Sequence, residues 1–381
     1  MINKKRVMSL GMALLMAASV PGTALAVSPE FARTEEEWDR LRDNTMEYDE
    51  LAGLIHEYNT TVQNNQYAYK DYLGKDRQDV ERDYRDLADE LYASMSGDDD
   101  MQSMISDLNL EIQARKMQQN ADDNVDDGQI VLMGYQQAED NLVVSAQSNM
   151  INYFKKQQDL ELAKKNRELL ETTYNVVVAQ FVQGVTTQID VLNAKENLQR
   201  ADQAIRDTEA SITSLRQRLC VMLGWKYDAN PEIREIPLVD LSVIDSMDPV
   251  ADKATALEKN YTLRINKRKY DNAKTEEKRE DLRKTIENNE QSIGASLVSA
   301  YQSVLAAKAA YLQAVNDTAL ETQNMQTAET QHYLGTISDL QYLQQQYALL
   351  SKQAAENTAE LSLREAIETY NWSVNGLASA G

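Results

Sequence analysis

The sequence has few of the residues that cross-link, bend or interrupt a chain. Cys220 is the single cysteine among 381 residues, so no disulfide can form within one chain. Five prolines and thirteen glycines leave long stretches without a helix breaker. These scarcities favour long helices over a sheet-rich fold, with stability supplied by packing alone.

Histidine and positive charge are also scarce. The two histidines, His56 and His332, and the lone cysteine show no spacing typical of a metal site. No nucleophile-base pair or phosphate loop is visible either, so we predict no metal, no cofactor and no catalytic residue. Lysine and arginine number 39 against 61 aspartates and glutamates, a formal net charge of −22 that disfavours nucleic acid as a partner.

A long hydrophobic run occurs only at the N-terminus. Lys4, Lys5 and Arg6 precede an apolar run over 7–20, and small residues follow at 24–26. This order is typical of a secretory signal peptide, which we assign to residues 1–26, so the mature protein is predicted to be exported and extracytoplasmic. The mean hydropathy of −0.57 argues against a membrane domain made of helices.

What the sequence does contain is a glycine between two helical stretches, twice. Phe181 is followed by Gly184 and then by Asp190-Val-Leu192, and His332 is followed by Gly335 and then by leucines at 340 and 343. Glycine suits the left-handed backbone at a helix end, and the Thr or Ser that follows can cap the next helix. Each motif therefore predicts the tip of a helical hairpin, and two copies indicate internal duplication.

Apolar residues on the predicted hairpin helices alternate at spacings of three and four, which is the pattern of a coiled-coil seam. In the first hairpin the seam consists of Leu198, Ala201, Ile205, Thr208, Ile212, Leu215, Leu219 and Met222. In the second it consists of Leu297, Tyr301, Val304, Lys308, Tyr311, Val315, Leu340, Leu343, Tyr347, Leu350 and Ala354. We predict an all-α fold of long antiparallel coiled-coil hairpins.

The two copies differ in length but open alike. The stretch around Asn59 can be aligned with the stretch around Asn260, and we divide the mature chain into repeats 27–223 and 249–381 with a linker at 224–248. The first repeat holds about fifty extra residues between positions 74 and 128, predicted as a helical or acidic insertion. A nearly continuous helix is expected over 35–95, and a turn is expected at Asn288-Asn289.

Taken together, these elements resemble the TolC family of outer-membrane efflux proteins. The resemblance rests on the signal peptide, the Asn59 and Asn260 helix openings, both glycine tips and the helix end at Leu215 to Gly224. It implies a homotrimer whose helical hairpins close a hollow tunnel. It further implies that the tips engage an adaptor (membrane fusion) protein and an ABC-type or other pump of the inner or cytoplasmic membrane.

Carried over by position, the resemblance assigns roles to the tip residues of this sequence. Adaptor docking falls to Phe181, Gly184, His332 and Gly335, and the tunnel mouth to Asp190, Asp339, Gln341 and Gln344. The family often has an acidic pair on the second tip, where this sequence has Gln341 and Gln344, and often a tyrosine where His332 stands. A charged ring at the mouth therefore does not carry over.

A second departure concerns the β-strand pairs that family members insert between the ascending and descending helices of each half. A barrel-spanning strand needs about 9 to 11 alternating residues, and neither 119–134 nor 288–294 supplies them. The sequence therefore predicts a TolC-like α-barrel protomer without the β-barrel segment.

Two alternatives stay open on the sequence alone. Asp190 could gate a tunnel mouth, or it could be an acid favoured by the positive end of a helix dipole. The whole chain could be an efflux or secretion component, or a structural coiled-coil protein of the cell envelope without a transport role.

Overall fold

A computed structural model describes residues 32–98 and 100–381. The predicted signal peptide at 1–26 lies outside the described residues. The helices of the first part of the chain are α1 (Glu35–Arg42), α2 (Leu51–Tyr58), α3 (Thr60–Tyr69), α4 (Arg77–Ala93), α5 (Met101–Asp122), α6 (Gly128–Val182) and α7 (Gln188–Met222). Those of the second part are α8 (Ser242–Asp245), α9 (Asp252–Lys259), α10 (Tyr261–Asn272), α11 (Glu276–Tyr333) and α12 (Asp339–Trp372), with a π-helical turn at Ser373–Leu377.

The fold is dominated by four long helices that lie side by side in the order α7, α6, α12, α11. Helices α6 and α7 form one antiparallel hairpin, and α11 and α12 form the other. At 55 residues α6 is about 80 Å long. Because α6 and α12 pack on each other in the middle, α7 and α11 form the two edges of the layer.

Two of the shorter helices continue the line of two of the long helices. Helix α3 begins beside the end of α7 and packs on α6, while α10 begins beside the end of α12 and packs on α6 and α11. Each long hairpin therefore meets a short helix end to end.

The predicted helix openings at Asn59 and Asn260 are N-caps at these two junctions. The side-chain carbonyl of Asn59 accepts from the backbone N–H of Thr61 and Val62, and its amide donates to Met222 O at 2.8 Å, at the end of α7. Asn260 repeats the arrangement in the second half. One polar side chain thus starts a helix and satisfies a carbonyl at the end of another, where burial would otherwise leave it unpaired.

The rest of the Asn260 arrangement lies at the end of α12. Its carbonyl accepts from Leu263 N–H at 3.0 Å, and its amide donates to the carbonyls of Gly376 at 3.2 Å and Ala378 at 2.8 Å. Both asparagines are buried.

The hydrophobic core sits at these junctions. In the first half it includes Leu54, Ile55, Met150, Leu219 and Leu223. In the second it includes Leu263, Ile293, Leu297, Leu363 and Tyr370. Cys220 is buried in the first core and acts as a small apolar residue.

Toward the tips the hairpins rely on their seams, and the predicted spacing is confirmed. Every seam residue predicted on α7, α11 and α12 is buried or half-buried. The all-α prediction is confirmed as well, since the two strands of the described residues, β1 (Thr45–Met46) and β2 (Glu232–Ile233), have two residues each. They pair in parallel and attach the segment between the halves to the first half.

The extra residues of the first half are helical, as predicted, and form a hairpin. Helices α4 and α5 pack on each other around Leu87, Ala88, Leu91 and Ala114. They are inserted between α3 and α6, whereas in the second half the corresponding helices α10 and α11 are joined by the three residues 273–275.

The prediction of one nearly continuous helix over 35–95 is wrong. Four helices and β1 occupy this stretch. The Asn59 cap starts a new helix at Thr60, and Gly74, with φ of +76°, lies in the turn before α4. Composition favoured a helix here, but capping side chains placed the breaks.

The turn predicted at Asn288-Asn289 is also wrong, because α11 runs through both positions. Asn289 is buried, accepts from the Asn266 amide at 2.8 Å and donates to the carbonyl of Ala380. The break falls instead at 273–275, where Thr275 caps α11 by accepting from Lys278 N–H at 3.3 Å. Tertiary partners thus hold this asparagine in a helix despite its turn propensity.

Within the part of the chain that the structure describes, no helix combines the length and apolar character needed to cross a membrane.

Candidate functional site

Both glycine tips lie at the same pole of the molecule. Gln158 of α6 accepts a hydrogen bond of 3.3 Å from the side chain of Asn357 of α12, which fixes the relative height of the two hairpins. Gly184 lies 26 residues beyond Gln158, and Gly335 lies 22 residues before Asn357. At 1.5 Å per residue the tips are about 39 and about 33 Å from the shared contact, in the same direction because α6 and α12 are antiparallel.

The first tip is a tight turn around Gly184, whose φ is +75°. The N–H of Gly184 donates to Phe181 O at 2.9 Å, and that of Val185 donates to Gln180 O at 2.9 Å. These bonds satisfy carbonyls at the end of α6, and the positive φ is the reason for a glycine.

A capping box starts the returning helix α7. Thr187 Oγ1 accepts from Asp190 N–H at 3.3 Å, and Asp190 Oδ2 accepts from Thr187 N–H at 2.9 Å. The same carboxylate oxygen accepts from the hydroxyls of Thr186 and Thr187, both at 2.6 Å. The hydroxyl bonds from Thr186 and Thr187, followed by the backbone N–H of Thr187, lower the pKa of Asp190 to about 2.

Asp190 lies where the second interpretation places it, as an acid in the first turn of a helix. Its carboxylate is committed to the first turn of α7, where a negative charge is favoured by the helix dipole.

The second tip repeats the backbone with different side chains. Gly335 has φ of +71°, its N–H donates to His332 O at 2.9 Å, and Thr336 N–H donates to Gln331 O at 2.9 Å. Ser338 caps α12 in a capping box with Gln341, so a neutral amide stands where the first tip has Asp190.

His332 joins the two helices of the second tip. Its Nε2 lies 2.8 Å from Asp339 Oδ1, and its ring stacks on Tyr342 with centroids 4.3 Å apart. The ring therefore links the last turn of α11 to the first turns of α12. The contact with Asp339 and the stacking on Tyr342 give His332 a structural role in this turn.

The structure thus brings the predicted site residues into two neighbouring clusters. Phe181, Gly184 and Asp190 belong to the first tip, and the remainder belong to the second: His332, Gly335, Asp339, Gln341 and Gln344. Gln344 is exposed one turn into α12. The adaptor-docking and tunnel-mouth roles concern other molecules and stay predictions.

Sequence reasoning missed the apolar surface of the tips. Val182 is 81% exposed and Tyr333 is 89% exposed, and further large apolar side chains stand free beside them: Val185, Ile189, Leu192 and Leu334. The available signal was that these residues lie off the three-four seam and next to a turn, where the other helix of the hairpin does not cover them. Exposed apolar surface of this kind is characteristic of interaction sites.

No family model matches this sequence, and no curated protein matches it either. The fold, in contrast, is shared with solved channel structures. The outer-membrane channel OprN superimposes with a TM-score of 0.56 at 14% identity, covering 95% of this chain and 99% of that one. The open state of the Neisseria gonorrhoeae MtrE outer membrane channel gives 0.52 at 11% identity, covering 86% and 89%.

A membrane protein from Pseudomonas aeruginosa superimposes with a TM-score of 0.57 at 10% identity, covering 86% of this chain and 90% of that one. The chain therefore has the TolC-like fold that the sequence resemblance predicted. OprN and MtrE are outer-membrane channels.

Proposed function

We propose that this protein is an exported, TolC-like component of an efflux or secretion system of the cell envelope. Copies of the chain assemble as a homotrimer into a ring of helices, and the hairpin tips engage an adaptor protein. The adaptor in turn connects the ring to an ABC-type or other pump in the inner or cytoplasmic membrane. The observation that carries the proposal is a helical layer with two free edges and both tips at one pole.

The edges of the layer support assembly. Helix α11 buries one seam against α12 and leaves a second row of apolar residues on its outer side. Val298, Leu305 and Leu312 recur every seven residues in this row and are exposed. A heptad row without a partner favours another helix, and closing the layer into a ring would place α7 of the next copy there.

The tips support docking. Their turns are rigidly capped, so the exposed apolar residues Val182, Val185, Tyr333 and Leu334 are held in fixed positions at little entropic cost to a partner. The acidic chain would attract an adaptor or cargo with basic surface.

The first test is assembly of the purified mature protein. We expect a mass of about three chains in solution, and Leu305→Glu with Leu312→Glu should shift the population to monomers because charges in the row would be buried. Ser303→Glu, on another exposed side of α11, is the matched control and should leave the trimer intact. A monomer at every concentration, with or without a candidate adaptor, would argue for a coiled-coil envelope protein instead.

The second test is docking at the tips. Gly184→Val combined with Gly335→Val should weaken binding of a candidate adaptor at least tenfold while circular dichroism stays helical, since a branched side chain resists a positive φ. Gly74→Val is the control, because Gly74 has φ of +76° and open surroundings as the tip glycines do. Unchanged adaptor binding would remove the tips from the mechanism.

A further inference from the structure

Helix α5, in the hairpin inserted into the first half, carries a row of large apolar side chains that no part of the described chain covers. Their exposed fractions lie between 53% and 79%, and they are Met101, Met104, Ile105, Leu108 and Ile112. At 3.6 residues per turn they fall within about 100° of the helix circumference. We refer to these five residues as the α5 row.

The α5 row lies opposite the face that packs on α4. That packed face carries Leu110, Ala114 and Met117, so α5 is apolar on two sides. The core between α4 and α5 has only four buried residues, two of them alanines. So small a core gives little stability to a two-helix hairpin, and a second packing layer over the α5 row would enlarge it.

The spacing of the α5 row favours a helix as its partner. Met101, Ile105, Leu108 and Ile112 follow each other at intervals of four, three and four residues, which is a coiled-coil seam. One flank of the seam is formed by Gln102, Ser106 and Asn109, which carry no charge, and the other contains Glu111, which pairs with Arg115. A partner helix can therefore approach the row over the uncharged flank without meeting a like charge.

Charge argues against a lipid surface. Residues 77–122 hold twelve acidic against five basic side chains, and Asp98 and Asp100 lie directly before the α5 row. An anionic membrane would face the net negative charge of the whole hairpin, whereas a partner helix contacts only the row and its flanks, where Glu111 is paired with Arg115. Membrane-surface helices are typically rich in Lys and Arg on the polar face, and α5 has Arg115 and Lys116 only beyond the row.

The position of the hairpin indicates where such a partner helix comes from. The hairpin joins α3 to the start of α6, which is the end of α6 opposite the tips. Its base is held against the second half by Lys274, which pairs with Glu81 at 2.8 Å, and by Arg268, which pairs with Asp127 at 2.7 Å. In a ring of copies, every hairpin would therefore lie at the same pole, and symmetry would give every α5 the same tilt to the ring axis.

We propose that the α5 row is a contact between copies of this chain, in which α5 helices pack on one another at the pole opposite the tips. This inference rests on the ring of the proposed function and adds a second interface to it. The tips would then bind the adaptor at one end while the α5 helices gather at the other.

Cysteine cross-linking tests the contact directly. In a Cys220→Ala background, whose folding is checked by thermal unfolding, Ile105→Cys places one thiol in the α5 row. Gln113→Cys places it on the same helix but about 80° from Ile105 and outside the row, where it is exposed. Mild oxidation should yield covalent dimers of the Ile105→Cys protein, at a fraction at least tenfold above the Gln113→Cys protein.

A second variant keeps the inference testable if the thiol disturbs packing. Ile105→Glu with Leu108→Glu should make 77–122 exchange backbone hydrogens at least tenfold faster while the α6 and α7 peptides stay unchanged. The matched control is Gln78→Glu with Gln113→Glu, two exposed positions of the hairpin outside the α5 row and its named flank, which adds the same charge. Equal exchange in both variants would overturn the inference.

The outcomes separate this inference from the proposed function. A trimeric mass without Ile105→Cys cross-links overturns the α5 contact and leaves the ring in place. Cross-links with a purely dimeric mass support the α5 contact and contradict the trimer. Flotation with phosphatidylcholine vesicles that depends on Ile105 and Leu108, without cross-links, overturns the contact and assigns the α5 row to lipid.

Discussion

The two halves of the molecule have the same kind of junction between a long hairpin and a short helix, but they differ at both poles. In the first half Gly224, with φ of +90°, follows α7 and packs against Tyr58, the residue before the capping Asn59. In the second half Gly376, with φ of +123°, follows α12. A Cβ added to Gly376 would lie 3.0 Å from the carbonyl oxygen of Lys259, the residue before Asn260. In each half, therefore, a glycine that follows the long helix packs against the residue before the capping asparagine. This contact joins the long hairpin to its short helix.

The poles are where the halves diverge. One half has the α4 and α5 hairpin where the other has three residues, and one tip has a carboxylate where the other has an amide. A connection at a pole can lengthen or change its side chains without moving the packed middle of the layer. The junction therefore sets the architecture, while the poles are free to acquire separate functions.

The largest expected effect comes from placing a Cβ at the junction glycines. In the first half the added Cβ would overlap the Tyr58 side chain and adopt a left-handed φ, so Gly224→Ala should cost about 3 kcal/mol. Gly376→Ala meets Lys259 O and the Tyr261 ring at 3.0 and 3.3 Å and should cost about 2 kcal/mol. Urea unfolding measures both values.

Gly74→Ala is the control for this pair, because it has the same sign of φ and nothing within 4 Å of the added Cβ. It should cost only about 1 kcal/mol, the backbone contribution alone. An equal loss of stability in all three variants would mean that close packing at the junction adds nothing to the cost of the left-handed φ.

Removing the capping asparagines should have the next largest effect. Asn59→Ala and Asn260→Ala each lose a buried cap and leave a buried carbonyl unpaired, at a cost of about 2 kcal/mol in thermal or urea unfolding. Asn260 should be the more sensitive of the two, since its amide donates to two carbonyls.

Aspartate at the same positions tells the two functions of the side chain apart. Asn59→Asp retains the acceptor for Thr61 and Val62 but cannot donate to Met222 O. It should therefore fall between wild type and Asn59→Ala. A loss equal to that of alanine would mean that the donor bond to α7 carries the whole effect.

A smaller effect, confined to the first half, is a pH dependence at His56. The hydrogen bond that His56 Nδ1 donates to Glu139 Oε1, at 2.7 Å, raises the pKa of His56, and burial of the ring lowers it. The negative charges of Glu139 and Glu57 raise this pKa further, and the positive charge of Arg33 lowers it. A raised pKa means that this stabilisation is complete below about 6.5 and is lost as pH rises through the folded value. The ring is partly exposed, so we expect a loss under about 1 kcal/mol.

The second half has Leu257 at the matching position. His56→Leu should thus flatten stability between pH 6 and 9, and Glu139→Gln should reduce the slope because the charge is gone. Thermal unfolding across this pH range measures both, and an unchanged slope in both variants would assign the pH dependence to another group.

The smallest effect concerns the two tips. The pKa of Asp190 is lowered to about 2 by its bonds to Thr186 and Thr187, so its capping is present above about pH 4 and is lost as pH falls toward 2. Asp190→Gln copies Gln341 of the second tip and should remove this dependence. Hydrogen exchange of the peptide 181–192, corrected for intrinsic rates, reports the change, with the peptide 332–343 as the internal reference.

Much of the candidate site could be predicted from the sequence because its signals are local. Gly184 and Gly335 were identified from the residues around each turn, and their positive φ values agree. The seams were read from spacing alone. By contrast, Asn289 was assigned to a turn because its partners Asn266 and Ala380 are distant or on another element. Gly376 was missed because its neighbour Lys259 lies more than a hundred positions away.

The helical class, the two glycine turns, the capping residues of the tips and the seam positions follow from the sequence alone, since each depends on residues within a few positions of each other. The common pole of the two tips also follows from it, because duplicated hairpins point the same way. The order α7, α6, α12, α11 and the exposure of the α5 row depend instead on which surfaces are buried between distant segments. An apolar seam shows that a helix needs a partner, but only contacts between distant segments settle which seams the chain covers itself and which it leaves for other molecules.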